Sequence, residues 1–192
     1  ENYTAGNSNI KVLGGIWDAK GHLAPIDSNY NFFTGASARN LTFRDITVRN
    51  IPSYHALDLF SIDGIVIDGC RFEGFKDNTT GLVRQFSEAV QLQENISSPT
   101  KNVSMTNCYM GPATDGSGLG SYGKLIGSHT NTLGTIYTGM RIIGNVVDGA
   151  LDTGIQGYSW SDSTVANNVI KNAGSQAIRF TSTVDNTTKR LT

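Results

Sequence analysis

The fold is decided by the stretch Ser87-Glu88-Ala89-Val90-Gln91-Leu92-Gln93, in which apolar and polar side chains alternate. Alternation with a period of two is typical of a β-strand. Four other segments repeat the order of a small residue, an apolar residue, an outward residue and usually another apolar residue: residues 54–60, 123–129, 153–158 and 176–181. A single match is easily found by chance, but five in one chain indicate a repeating unit.

A second family of strands lies upstream of these segments. Its copies begin at Ile10, Leu41, Ile65, Val103, Met140 and Ser163. The intervals are therefore 31, 24, 38, 37 and 23 residues, which we interpret as one basic unit with loop insertions. A residue suited to a turn precedes each copy: Asn9, Asn40, Gly64, Asn102, Gly139 and Asp162. This pattern predicts a parallel β-solenoid of about six coils.

The composition excludes several classes of function. The 15 basic and 16 acidic residues give a formal net charge of −1, so no basic face for nucleic acid is expected. No apolar run approaches the ~20 residues that a membrane span needs. The length predicts one domain, residues 1–192, and the missing start Met favours an excerpt of a longer secreted or surface protein. We expect an extracellular monomer, because charged residues make up only 16% of the chain.

The register of the repeats predicts the apolar core. The inward columns are expected to be Leu57, Val90, Ile126, Ile155 and Ile178 in the first family, and Val12, Phe43, Ile67, Met105, Ile142 and Val165 in the second. Cys70 and Cys108 occupy the same position in consecutive repeats and should be neighbours. A reduced pair is favoured over a disulfide, and the spacing matches no metal site.

The arrangement resembles the right-handed parallel β-helix superfamily of pectate lyases and polygalacturonases. The resemblance rests on the first coil, residues 9–21, and on the repeats that follow it. Residues 87–92 and 125–129 are similar to segments of polygalacturonase-like surface proteins of Gram-positive bacteria. The resemblance implies a secreted or cell-wall-attached protein that acts on an acidic polysaccharide or glycoconjugate.

The catalytic motifs of polygalacturonases are mostly absent. Asn-Thr-Asp falls on Ser53-Tyr54-His55, Asp-Asp on Ser87-Glu88, Gly-His-Gly on Ser121-Tyr122-Gly123, and Arg-Ile-Lys on Gln156-Gly157-Tyr158. One carboxylate therefore survives, as Glu88.

Two cleavage chemistries make different demands on the candidate catalytic residues, which are Glu88, Asp58, His55 and Lys124. An inverting hydrolase needs two carboxyl groups roughly 6.5–9.5 Å apart, whereas strand rise and coil spacing place Asp58 and Glu88 about 11 Å apart. A lyase needs a base, here Lys124 or His55, and a cation that neutralises the uronate. That cation is either Arg179 or a calcium ion held by Glu88 and Asp58; no other cofactor is expected.

The same residues have a chemically idle interpretation. His55, Glu88 and Lys124 are consecutive in one outward column, with neighbours within ~5 Å. They can equally form a surface salt-bridge ladder that contributes little.

The alternation also predicts side chains that contact a saccharide. These candidates are Gln91, Gln93, His129, Gln156, Tyr158, Arg179 and Phe60. Phe60 and Tyr158 either stack on sugar rings or are covered by loops, and His129 is either a saccharide contact or an ordinary exposed histidine.

Three functions follow from this reading. The first is a secreted or surface-bound lyase or hydrolase that cuts a uronate-containing polysaccharide. The second is a non-catalytic adhesin that binds glycan or host surface through the same face, and the third is a structural spacer. A loop-walled groove would favour catalysis, and a flat face would favour adhesion.

Overall fold

Short parallel strands stack in register through most of the chain. The computed structural model describes residues 3, 6–25, 28, 30–77, 87–95, 98–128 and 134–182. Its strands are β1 (Lys11–Leu13), β2 (Ile16–Asp18), β3 (Phe33–Arg44), β4 (Thr47–Pro52), β5 (Leu57–Asp68), β6 (Arg71–Lys76), β7 (Glu88–Asn95), β8 (Ser98–Pro99), β9 (Lys101–Thr106), β10 (Tyr109–Gly111), β11 (Lys124–Ser128), β12 (Tyr137–Thr138), β13 (Arg141–Ile143), β14 (Val146–Asp148), β15 (Ile155–Tyr158), β16 (Trp160–Ser161), β17 (Thr164–Ala166), β18 (Val169–Lys171) and β19 (Ile178–Thr181). One turn of 3₁₀ helix spans Gly21–Leu23.

Two large sheets form the walls of the solenoid. The first has the order β17-β13-β9-β5-β7-β11-β15-β19, with β3 pairing with both β1 and β5. The second has the order β18-β14-β10-β6-β4-β2, and β12 pairs with β16. The named strands pair in parallel, apart from the short antiparallel pair of β7 with β8. This topology is a parallel β-helix, so the predicted fold class is confirmed. Its handedness and coil number stay predictions.

The predicted core columns agree with the observed register residue by residue. Val12 pairs with Phe43, and the column continues through Ile67, Met105, Ile142 and Val165. The other column runs through Leu57, Val90, Ile126, Ile155 and Ile178. The central members are buried, whereas Ile178 is exposed because its strand β19 has a neighbour on only one side.

The turns explain why asparagine and glycine recur at fixed positions. All six predicted turn residues have a positive φ, from 48° at Asp162 to 87° at Gly64. This left-handed backbone suits glycine and is tolerated by Asn and Asp better than by other side chains. Asn40 Nδ2 also donates to Asn9 Oδ1 at 3.1 Å, so equivalent turns are linked between coils.

Three features of the ladder go beyond the repeats seen in the sequence. Residues 33–36 pair with residues 57–60 and so add a copy that the sequence pattern did not reveal. Strand β5 also combines two predicted strands into one, because the residues that connect them keep their pairing with neighbouring coils. The glycine-rich loop of residues 111–120 lies over the second sheet, where Asn50 Nδ2 donates to Asp115 Oδ2 at 2.7 Å.

Cys70 and Cys108 are both free and buried in the structure, and the reduced pair that the sequence favoured stays a prediction. Each thiol donates to backbone carbonyls of the coil stack, Cys70 to Phe43 at 3.4 Å and Cys108 to Thr106 at 3.2 Å. The pair therefore behaves as small core side chains.

Substituting Ile126→Asp should abolish cooperative folding. Ile126 is fully buried between Val90 and Ile155, and an unpaired charge there costs more than about 4 kcal/mol. Thermal melting followed by circular dichroism measures the effect. The matched control is Val66→Asp, since Val66 lies in the same sheet with 36% exposure and should tolerate the change. A soluble Ile126→Asp protein with a cooperative melt would contradict the coil register.

Candidate functional site

The predicted column of His55, Glu88 and Lys124 is present at the starts of neighbouring strands. Lys124 pairs directly with Glu88 in the register of β7 and β11. Extending the register of β5 and β7 by two residues places His55 opposite Glu88. The spatial grouping of these three side chains is therefore as the sequence predicted.

These side chains form a connected charged cluster. Lys124 Nζ lies 2.9 Å from Glu88 Oε1, and His55 Nδ1 lies 3.6 Å from Glu88 Oε2. His55 Nδ1 also lies 3.0 Å from the backbone carbonyl oxygen of Glu88. Lys124 Nζ has a second carboxylate, Asp152 Oδ2, at 3.3 Å. Glu88 is consequently neutralised by a close cation, and that cation is shared with Asp152.

The interpretation of this column as a surface ladder is wrong. The exposed fractions of His55, Glu88 and Lys124 are 2%, 0% and 3%. Alternation along a strand predicts the direction of a side chain, but not whether another part of the molecule covers it. Removing one partner of a buried ion pair lowers the free energy of unfolding far more than removing one partner of an exposed pair.

The absence of a side chain at Gly127 leaves the space in which the Glu88 side chain lies. Gly127 pairs with Gln91 and Gln156, in the column that also contains Asp58. A Cβ built on Gly127 would lie 2.8 Å from Glu88 Cγ and 3.3 Å from Glu88 Oε1. Glu88 thus leans over this column and occupies the space that a side chain at position 127 would need.

Asp58 is also buried rather than outward and open, at 2% exposure. Its carboxylate accepts hydrogen bonds from Asn31 Nδ2 and, at 3.0 Å, from Gln93 Nε2. Gln91, equally buried, has a side-chain oxygen without a hydrogen-bond partner among the residues that the structure describes. Two amide groups thus donate to the Asp58 carboxylate, and a cation lies beside Glu88.

The predicted saccharide contacts are divided by their exposure. Gln93, Gln156, Tyr158 and Phe60 are half-buried, and Arg179 is exposed at the outermost strand β19. Gln156 pairs with Arg179, so these two continue the column of Asp58, Gln91 and Gly127. His129 lies outside the described residues.

We use the name polar ladder for a set of side chains that runs across one half of the first sheet. They are Asp58, Gln91, Gln93, Gln156, Tyr158 and Arg179. Sequence reasoning missed Asn31, Asp152 and the spacing role of Gly127. Only Gly127 left a signal, because a glycine stands where the neighbouring coils carry Gln91 and Gln156.

The cluster is better suited to structure and binding than to proton transfer through Glu88. Glu88 Oε1 is engaged by Lys124, and both side chains are almost completely removed from solvent. Within the described ranges, no group of three or more His, Cys, Asp or Glu side chains is arranged to hold a metal ion. The calcium ion considered between Glu88 and Asp58 stays a prediction.

Comparison with known proteins supports the fold. No family model matches the chain, and no curated protein matches it in sequence. Two solved structures of PfbA, a surface adhesin of Streptococcus pneumoniae, are similar to it at 22% identity. Their TM-scores are 0.74 and 0.72, and the matches cover 84% and 85% of this chain. They cover 40% and 44% of the PfbA chains, so this chain spans less than half of their length. At this identity the likeness shows the fold alone.

Replacing Glu88 by Gln should destabilise the protein by about 3 kcal/mol, because it leaves the buried Lys124 ammonium without its closest carboxylate. Chemical denaturation measures this free energy of unfolding. The control is Asp148→Asn, which removes the exposed ion pair of Asp148 with Lys171 at 3.8 Å and should cost less than about 1 kcal/mol. The double variant Glu88→Gln/Lys124→Met should regain part of the lost stability. Equal losses for Glu88→Gln and Asp148→Asn would contradict the buried ion pair.

Gly127→Ala should also destabilise the protein, by about 1–3 kcal/mol, since the added methyl group meets Glu88 Cγ at 2.8 Å. Glu88 cannot withdraw freely while it is paired with Lys124. Gly120→Ala is the control, because no atom lies within 4 Å of its added Cβ. An unchanged free energy of unfolding in Gly127→Ala would show that Glu88 does not occupy this space.

Proposed function

We propose that the chain is the glycan-binding β-helix of a cell-surface adhesin, and that the polar ladder makes the contact. The observation that carries this proposal is a contrast in exposure along the same strands. Glu88 and Lys124 neutralise each other out of contact with solvent, whereas Gln93, Gln156 and Tyr158 remain half-exposed. The groups available at the surface are therefore amides and an aromatic ring rather than an acid and a base.

The chemistry of these available side chains suits sugars. Amides donate and accept hydrogen bonds at once, as sugar hydroxyl groups do. Tyr158 and Phe60 offer apolar ring surface, and Arg179 at the end of the ladder adds a positive charge. Strands spaced ~4.8 Å apart present these groups in a row that an extended glycan can follow. The fold shared with the PfbA adhesins supports the proposal, and it also supports a location at the cell surface.

Polysaccharide cleavage is the second candidate, and a specific observation favours it. Four ionisable side chains, His55, Asp58, Glu88 and Lys124, are buried at or next to the starts of β5, β7 and β11, outside the apolar core columns. Such concentrations occur at enzyme active sites as well as in structural ion-pair networks. A lyase acting on polygalacturonate would release unsaturated ends that absorb ultraviolet light, and a hydrolase would release reducing ends without that absorbance.

The proposal predicts that the protein binds glycans on an immobilised panel and releases neither type of product. Tyr158→Ala and Gln156→Ala should each weaken binding about tenfold, which corresponds to about 1.4 kcal/mol per variant. Surface plasmon resonance measures the affinity, and melting confirms that the variants are folded. The control is Tyr109→Ala, which removes a partly exposed tyrosine from the second sheet. Wild-type binding by both ladder variants would refute the polar ladder, and product release would establish the enzymatic alternative.

A further inference from the structure

A surface depression lies on a part of the first sheet that the polar ladder does not use. Its volume is about 280 Å³, and it is lined by Asn102, Val103, Ser104, Gly139, Arg141, Asp162 and Thr164. These residues belong to β9, β13 and β17 and to the turns that precede them. The polar ladder uses β5, β7, β11, β15 and β19 instead, so the two surfaces share no side chain.

Gly139 lies at the centre of the turns that line this depression. The register of β9, β13 and β17 places Gly139 between Asn102 and Asp162. A Cβ on Gly139 would lie 2.6 Å from Asn102 Oδ1, and the φ of Gly139 is +73°. The Asn102 amide therefore occupies space that a side chain at position 139 would need, and Asn102 and Asp162 line the depression on either side of Gly139.

Arg141 supplies the charge of the depression. Arg141 is exposed and makes no ion pair with any residue that the structure describes, although Asp162 lines the same space. Two other cations of this sheet do have a carboxylate partner: Arg44 pairs with Asp68 at 3.5 Å and Lys101 with Asp63 at 3.3 Å. The Arg141 fork is therefore free to bind an anion.

Two hydroxyl-bearing residues are the strand neighbours of Arg141. Arg141 pairs with Ser104 on one side and with Thr164 on the other, so the Cα atom of each lies about one strand spacing away, ~4.8 Å. Arginine binds planar or tetrahedral oxyanions through two parallel hydrogen bonds, and neighbouring hydroxyl donors add to that set.

From this arrangement we infer that the depression binds the oxyanion of an acidic sugar residue, a carboxylate or a sulfate. Arg141 holds the oxyanion, with Ser104 and Thr164 donating from the adjacent strands. Asn102 Nδ2 is engaged by Asp63 at 2.7 Å, which leaves Asn102 Oδ1 and the Asp162 carboxylate to accept hydrogen bonds from sugar hydroxyl groups. This site is independent of the polar ladder.

Immobilised polymers test the inference and separate the two oxyanions. The probes are polygalacturonate, which carries only carboxylates, dextran sulfate, which carries only sulfates, and neutral dextran. Binding to one or both anionic polymers, with at least a tenfold loss in Arg141→Gln, is expected. The matched control is Arg44→Gln, which removes the same charge from the same sheet and should change the affinity less than twofold.

The other outcomes overturn the inference. They are no binding to either anionic polymer, equal losses in Arg141→Gln and Arg44→Gln, or full binding by Arg141→Gln. If Tyr158→Ala loses binding while Arg141→Gln keeps it, the polar ladder is the binding surface and only the second site fails. If Arg141→Gln loses binding while Tyr158→Ala keeps it, the second site stands and the polar ladder is not needed for these polymers.

Discussion

The structure depends on the in-register stacking of equivalent positions in successive coils. Each inner strand of the first sheet forms backbone hydrogen bonds with the coils on either side, and the same register aligns the apolar column through Val90 and Ile126. A shift by one residue would turn the whole column towards solvent. The left-handed turn residues keep the register, because each coil leaves and re-enters the sheet at an equivalent backbone position.

Stacking has a different consequence for charged residues. It brings like positions of successive coils within one strand spacing, so a charge in one coil needs a compatible neighbour in the next. Glu88 meets this condition with Lys124 on one side and His55 on the other. Because the pair is also buried, its desolvation cost is offset only while both partners are present. This requirement gives the cluster a structural role whether or not it takes part in function.

The two proposed binding surfaces illustrate how one sheet can present different chemistry along its length. Strand β5 pairs with β7 through residues 57–60 and with β9 through residues 63–68, so one half of the sheet carries the polar ladder and the other half carries the Arg141 depression. Both surfaces depend on a glycine that interrupts a column of larger side chains. Gly127 makes room for Glu88, and Gly139 makes room for the Asn102 amide.

The sequence by itself determined the fold class, the core columns and the turn positions. These features repeat at short intervals, so a local pattern is enough to align Phe43 with Ile67 or Asn40 with Asn9. It also predicted that His55, Glu88 and Lys124 share a column. It failed where the answer depends on residues distant along the chain, such as Asn31 against Asp58 and Asp152 against Lys124. Alternation decides which way a side chain points, but only the tertiary structure decides whether that side chain is covered and what charge lies beside it.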